Sequence, residues 1–145
     1  MCLRMAHSYT KLLYHILFST KRRYPFIRPE IRKRVHDYIG GTIRGLGGIS
    51  LEVGGIDEHV HALAAVPPTV AVSDFLSKLK SNSSKWMKQF SADFEWQGGY
   101  TALTVSQSEV ERLRCYIRNQ EDHHRKMSFE EELARLLKAH HIKFE

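Results

Sequence analysis

The sequence predicts a single α+β domain in which helices pack on an antiparallel sheet. Three observations carry this. Strand-like and helix-like segments follow one another roughly in the order βαββαβαα. Two of the strand-like segments are adjacent in the chain, joined only by a short Gly-rich link. The helical segments carry apolar residues on one face alone, as helices that cover a sheet do.

Leu12 to Ser19 is rich in aromatic and branched residues and runs into Lys21-Arg22-Arg23 and the turn signal Tyr24-Pro25, which reads as a strand emptying into a charged loop. Pro29 then opens a helix whose Ile31, Val35, Tyr38, Ile39 and Ile43 share a face, and Gly45, Gly47 and Gly48 end it. Ile49 to Gly54 alternates as a half-buried strand, Gly54-Gly55 opens the link, and His59 to Val66 is its partner. After Pro67-Pro68, the pattern Val72, Phe75, Leu76, Leu79, Trp86 and Phe90 is an amphipathic helix, weakened locally over Asn82 to Ser84. Tyr100 to Val105 is another strand. Ser106 or Ser108 is placed to cap a helix through Val110, Leu113, Ile117 and Gln120, and Ser128 with Glu131 forms a capping box before a last helix through Leu133, Leu136 and Leu137. No repeat or low-complexity tract interrupts the chain, so residues 1–145 read as one domain.

At 145 residues and 42% hydrophobic composition, the chain can bury one core. Its 22 Lys and Arg against 16 Asp and Glu give a net charge of +6 and a pI near 9.4, which favours a polyanionic partner over a basic one. Cys2 and Cys115 are too few for a disulfide framework and lack CxxC pairs, so a reducing cytoplasm is expected. The apolar stretch Leu12 to Phe18 is broken by His15 and is far shorter than the ~20 residues of a membrane span. A soluble protein with no membrane partner is therefore expected.

Side chains two apart on a strand project to one side, so His59 and His61 point together while Val60 and Ala62 face the opposite layer. Neutral imidazoles in that placement suit a divalent ion, although two cannot fill a coordination shell, and paired polar histidines on a half-exposed strand have the same pattern. Tyr116 and Gln120, four apart on a helix, share a face. A phenolic oxygen can attack phosphorus, and a carboxamide oxygen can join a metal shell.

Taken together, Gly55-Ile56-Asp57-Glu58-His59-Val60-His61, Trp96-Gln97-Gly98-Gly99-Tyr100 and Tyr116-Ile117-Arg118-Asn119-Gln120 followed by His123-His124 resemble the single-tyrosine HUH transposases of small bacterial insertion sequences, the TnpA type. The resemblance runs from about Tyr9 to the C-terminus. Glu58 stands where the family more often carries Asp, and Ala62 where a larger aliphatic is commoner. The resemblance implies a ferredoxin-like sandwich, with helices on one face of the sheet plus a tyrosine-bearing helix. It also implies His59, His61 and Gln120 as ligands of Mg²⁺ or Mn²⁺ and Tyr116 as the nucleophile. It further implies single-stranded DNA with hairpin ends as substrate, and a homodimer whose active sites are shared between subunits.

The mechanism so implied is attack by Tyr116 on a phosphodiester, leaving a free 3′-hydroxyl and a 5′-phosphotyrosine that a second 3′-hydroxyl can resolve. Lys21, Arg22, Arg23, Lys78, Lys80, Lys85 and Lys88 are candidate phosphate contacts, which would make binding salt-dependent, or else a solvated charged face. His123 and His124 are placed to touch DNA or help position Gln120, or else to face solvent at a helix end. His7, His15, His36, His140 and His141 show no spacing that ties them to the site. Trp86 and Trp96 are candidates for base stacking, with packing favoured for Trp86. The rival to a strand-transfer enzyme is a non-catalytic single-stranded nucleic-acid binder derived from a transposase, which would have no need of Tyr116.

Overall fold

The computed structural model describes residues 6–144; Cys2 lies outside the described residues, and Cys115 is free and exposed. Strands β1 (Leu13–Ser19), β2 (Ile49–Gly55), β3 (His59–Ala65) and β4 (Thr101–Thr104) form one sheet in the order β2-β3-β1-β4, each neighbouring pair antiparallel. Helix α1 (Pro29–Gly45) connects β1 to β2, and α2 (Val72–Met87) connects β3 to β4. This βαββαβ unit, with β1 and β3 at the centre, is the expected ferredoxin-like arrangement. Beyond it, α3 (Val110–Arg118), α4 (Gln120–His124) and α5 (Phe129–Ala139) follow.

Alternation along the two central strands sorts the molecule into layers. Ile16 and Phe18 of β1 and Val60, Ala62 and Ala64 of β3 face α1 and α2, where they meet Val35, Ile39 and Ile43 and Phe75, Leu76 and Leu79. Each fully buried Ile, Leu or Phe of this layer contributes about 1.5–3 kcal/mol. Leu13 and Leu63 face the other way and pack on Val110 and Ile117 of α3. The polar side chains His15, His59 and His61 also belong to that second face and are buried there.

Local signals account for the helix ends. Pro29 stands at the start of α1, and the helix closes with Gly47 at φ +89°, its N–H bonded to Arg44 O and that of Gly48 to Ile43 O. That pair of reversed bonds satisfies carbonyls the helix would otherwise strand. Ser128 caps α5 by accepting from the Glu131 N–H at 3.2 Å. Among the described residues, no helix is long and apolar enough to cross a membrane.

Four expectations are corrected. Asn82 to Ser84 do not weaken α2, because Ser83 is buried, its Oγ donating to Leu79 O at 2.7 Å and accepting from Trp96 Nε1 at 3.0 Å. Trp96 is therefore a core residue, edge-on to Phe18 and Phe94 and closed to base stacking. Ser106 stands at the N-cap of a 3-10 turn (Gln107–Glu109) that runs into α3, but its hydroxyl makes no capping bond and pairs with that of Ser108 at 2.9 Å. The helix expected to run through Gln120 breaks at Asn119, whose φ of −100° and ψ of 26° lie outside the α region. Tyr116 and Gln120 thus end on successive helices.

His36, on α1, is half-buried with its Nε2 atom shut from solvent and unpartnered, and burial followed by the charge of Arg32 lowers its pKa to about 4. Between pH 6.5 and 4 the unfolded chain binds a proton here that the folded chain refuses, so stability falls on acidification. The slope is about 1.4 kcal/mol per pH unit from this group. His36→Phe should flatten the pH dependence of urea-unfolding free energy in that window; an unchanged slope would reject the assignment.

Candidate metal and nucleophile site

The second face of the sheet holds a buried polar cluster built from β1, β3 and the three C-terminal helices. His59 and His61 project from β3 on the same side, and each has its Nδ1 engaged. His59 Nδ1 lies 3.0 Å from Glu58 Oε1, and His61 Nδ1 lies 2.7 Å from His15 Nε2, with the His15 and His61 rings stacked at 5.0 Å. Fixing Nδ1 in this way turns both Nε2 atoms inward, as partners of metal-binding histidines do. His15 belongs to the site after all, and Glu58 orients the first histidine.

Tyr116 is brought over these rings by the close seating of α3 on β2. A Cβ at Gly54 would lie 2.3 Å from Ile117 O, an approach only glycine permits, and Glu52 accepts from Arg118 Nε at 2.9 Å to fasten the same helix. The Tyr116 ring sits edge-on to His61, centroids 5.8 Å apart. Its hydroxyl donates to Glu132 Oε2 and lies 3.3 Å from His123 Nε2. Burial first, then the Glu132 carboxylate, push the phenol well above its ordinary pKa, so it rests protonated.

Gln120 Oε1 lies 3.1 Å from His59 Nε2 and 3.0 Å from His124 Nε2, while its Nε2 donates to Glu132 Oε2 at 3.2 Å. Three of the expected site residues, His59, His61 and Tyr116, and the fourth, Gln120, therefore meet within one chain. The sequence reading missed Glu132, buried in the first turn of α5, and left His124 undecided. Burial alone would raise the Glu132 carboxyl, but hydrogen bonds from His59 and His61 more than reverse this and hold it far below the carboxylate range. The two β3 histidines respond oppositely. Burial and neighbouring imidazoles lower His61 to about 4 despite the pull of Glu132, whereas for His59 the opposing burial is outweighed by Glu132, Glu58 and Gln120, and it rises.

The donor set fits a divalent ion. His59, His61, His124 and Glu132 each offer a ligand atom, all within 4.8 Å of one another, and Gln120 adds a carbonyl oxygen at the same centre. Phe129 of α5, itself buried, stacks on His59 at 4.3 Å.

The basic candidates divide. Lys21 and Arg22, joined by Lys88, line a cleft with Tyr24, Phe26 and Arg28, although Lys21 is also paired with Glu95 at 2.6 Å. Arg23 pairs with Glu130 and lies over Phe129, at the edge of the buried cluster. Lys80 donates to Gln97 O and Gly99 O, and Lys88 to Phe94 O, so both also hold the loop that follows α2. Lys78 and Lys85 are exposed on α2, which covers the sheet face opposite the histidines. Trp86 stacks on Tyr38 at 4.4 Å, a packing role.

Comparison with known proteins places these features in a lineage. The chain is 28% identical over 123 residues to the ISDra2 transposase TnpA of Deinococcus radiodurans, spanning 77% of this chain and 86% of that protein. It is 27% identical over 124 residues to the transposase of insertion sequence element IS200 from Salmonella typhimurium, spanning 80% and 81%. Among solved structures, a candidate transposase from Deinococcus radiodurans R1 superposes with a TM-score of 0.64 at 24% identity, over 81% of this chain and 98% of that one. A REP-associated tyrosine transposase bound to a REP hairpin gives 0.60 at 13% identity, over 85% and 74%. The family model described as IS200-like transposase matches residues 8–120, and the chain belongs to that family.

Proposed function

We propose that this protein cleaves and rejoins single-stranded DNA through a 5′-phosphotyrosine on Tyr116, with His59, His61 and Gln120 holding a divalent ion. The observation that carries the reading is the meeting of the Tyr116 ring with the inward-turned imidazoles of His59 and His61 in one buried cluster. When bound, Mg²⁺ or Mn²⁺ supplies charge neutralisation and orientation of the scissile phosphate. Tyr116 Oη forms the new bond to phosphorus as the bond to the 3′-oxygen breaks, and the departing oxygen ends with a proton as a free 3′-hydroxyl. The phosphodiester energy stays in the tyrosyl link, so attack by another strand's 3′-hydroxyl reverses the step and seals a new junction.

In the resting arrangement Glu132 aims the phenolic hydroxyl at the centre of the cluster and also retains its proton. The cleft of Lys21, Arg22 and Lys88 would take the phosphate backbone, with Tyr24 and Phe26 as apolar walls. Hairpin-ended DNA is the proposed substrate, and the hairpin bound by the REP-associated relative supports it. A homodimer with active sites shared between subunits, as the family resemblance implies, would bring two DNA ends together.

Incubation with hairpin-bearing single strands and Mn²⁺ should give a denaturation-resistant protein–DNA adduct that is lost in Tyr116→Phe. Binding without adduct across a set of such strands would favour the non-catalytic binder instead.

A further inference from the structure

We propose that His124 and Glu132 complete the ion site of His59 and His61, making a donor set of three imidazoles and one carboxylate that takes Mn²⁺ in preference to Mg²⁺. The use of that ion in catalysis rests on the strand-transfer reading above.

The spacing of the donor atoms is that of a coordination shell. Bonds of about 2.1 Å put neighbouring ligand atoms about 3.0 Å apart in an octahedron and about 3.4 Å apart in a tetrahedron. Glu132 Oε1 lies 3.0 Å from His61 Nε2, 3.0 Å from His124 Nε2 and 3.4 Å from His59 Nε2. Gln120 Oε1 closes two more edges at 3.1 and 3.0 Å.

Hydrogen bonding alone does not account for the convergence. One carboxylate oxygen faces three ring nitrogens, more than its two lone pairs serve well. In the tautomer in which His59 donates from Nδ1 to Glu58, and His61 from Nδ1 to His15, both Nε2 atoms give up their hydrogen bonds to Glu132 and offer lone pairs to a cation instead. A cation among them takes the place of the shared protons, and the same atoms become its ligands. Glu132 and the histidines of β3 are almost fully buried, so no water screens the arrangement.

Chemistry of the donors sets the preference. Imidazole nitrogen binds first-row transition ions, most weakly Mn²⁺ and more tightly those after it, whereas Mg²⁺ takes oxygen ligands in a near-ideal octahedron and gives up its waters reluctantly, so of these two ions the nitrogen-rich set favours Mn²⁺. The other Glu132 oxygen holds the Tyr116 hydroxyl, so one carboxylate would link ion and nucleophile. Because Glu132 sits on α5, the ion would also tie that helix to the sheet.

Mn²⁺ titration of the full chain without DNA, followed by the EPR signal of free Mn²⁺, tests this. Glu132→Gln and His124→Gln, each close in shape to the residue replaced, should weaken Mn²⁺ binding by about 100-fold, with near-UV circular dichroism showing the packing retained. In the unaltered protein, Mn²⁺ should bind at least about tenfold more tightly than Mg²⁺, and pulsed EPR should count three coordinated imidazoles. Two imidazoles, equal affinity for the two ions, or variants within about threefold of the parent would overturn the proposal. Adduct formation with those outcomes would leave strand transfer standing; Mn²⁺ binding as expected with no adduct would instead remove strand transfer and keep the ion site.

Discussion

Replacing His59 and His61 together with Gln should lower single-turnover adduct formation by at least about 10³-fold, equivalent to about 4 kcal/mol in the barrier. Both rings aim Nε2 into the cluster because Glu58 and His15 occupy their Nδ1 atoms. Without them the remaining nitrogen donor of the cluster is His124, on a short helix, and charge on the phosphate goes largely uncompensated. Gln is the appropriate substitute, since Ala would leave the buried Glu132 carboxylate unpaired and cost several kcal/mol of stability, confusing lost chemistry with lost fold. Melting temperature read beside the cleavage rate separates the two. Retention of more than a tenth of the parental rate in a folded double variant would remove these histidines from the reaction.

Gly54→Ala should cost about 100-fold in adduct rate from a position that touches no proposed substrate atom. The added Cβ would stand 2.3 Å from Ile117 O and 2.8 Å from Ile117 Cγ2. Backbone cannot yield as a flexible side chain does, so α3 must lift from β2 and carry Tyr116 with it. A misplacement of about 1 Å at a reacting group is worth about 10² in rate. His59 and His61 lie on β3 and keep their partners, so Mn²⁺ affinity should change far less than the rate. Equal losses in both measurements would mean that the substitution disturbs the sheet rather than the seat of the nucleophile.

The sheet and its two covering helices were legible because alternation and three-to-four spacing are local properties of the chain. The strand bearing His59 and His61 was found this way, and Val60 and Ala62 do face the core as the pattern requires. Departures arose where local preference did not decide the outcome. Ser83 stays helical because its hydroxyl is bonded inside the core, and Asn119 interrupts a helix that the apolar spacing alone would continue.

Tyr116 and Gln120 came from the family resemblance; their meeting with the histidines depends on α3 lying across β2, which no spacing encodes. Glu132 was missed although a signal existed. It falls three residues after Phe129 and four before Leu136, on the apolar face of its helix, where a charged residue needs a buried partner. His15 carried the same kind of signal, breaking the apolar run of β1 on the face shared with Leu13. Buried polar residues on apolar faces were the missing part of the site.

The central claim, that Tyr116 of this chain becomes covalently joined to DNA, is tested most directly by tandem mass spectrometry of the digested Mn²⁺-dependent adduct. The account predicts a nucleotide attached through its 5′-phosphate to Tyr116, with a free 3′-hydroxyl on the released strand. A nucleotide on another residue, or cleavage yielding a free 5′-phosphate with no protein attached, would contradict it.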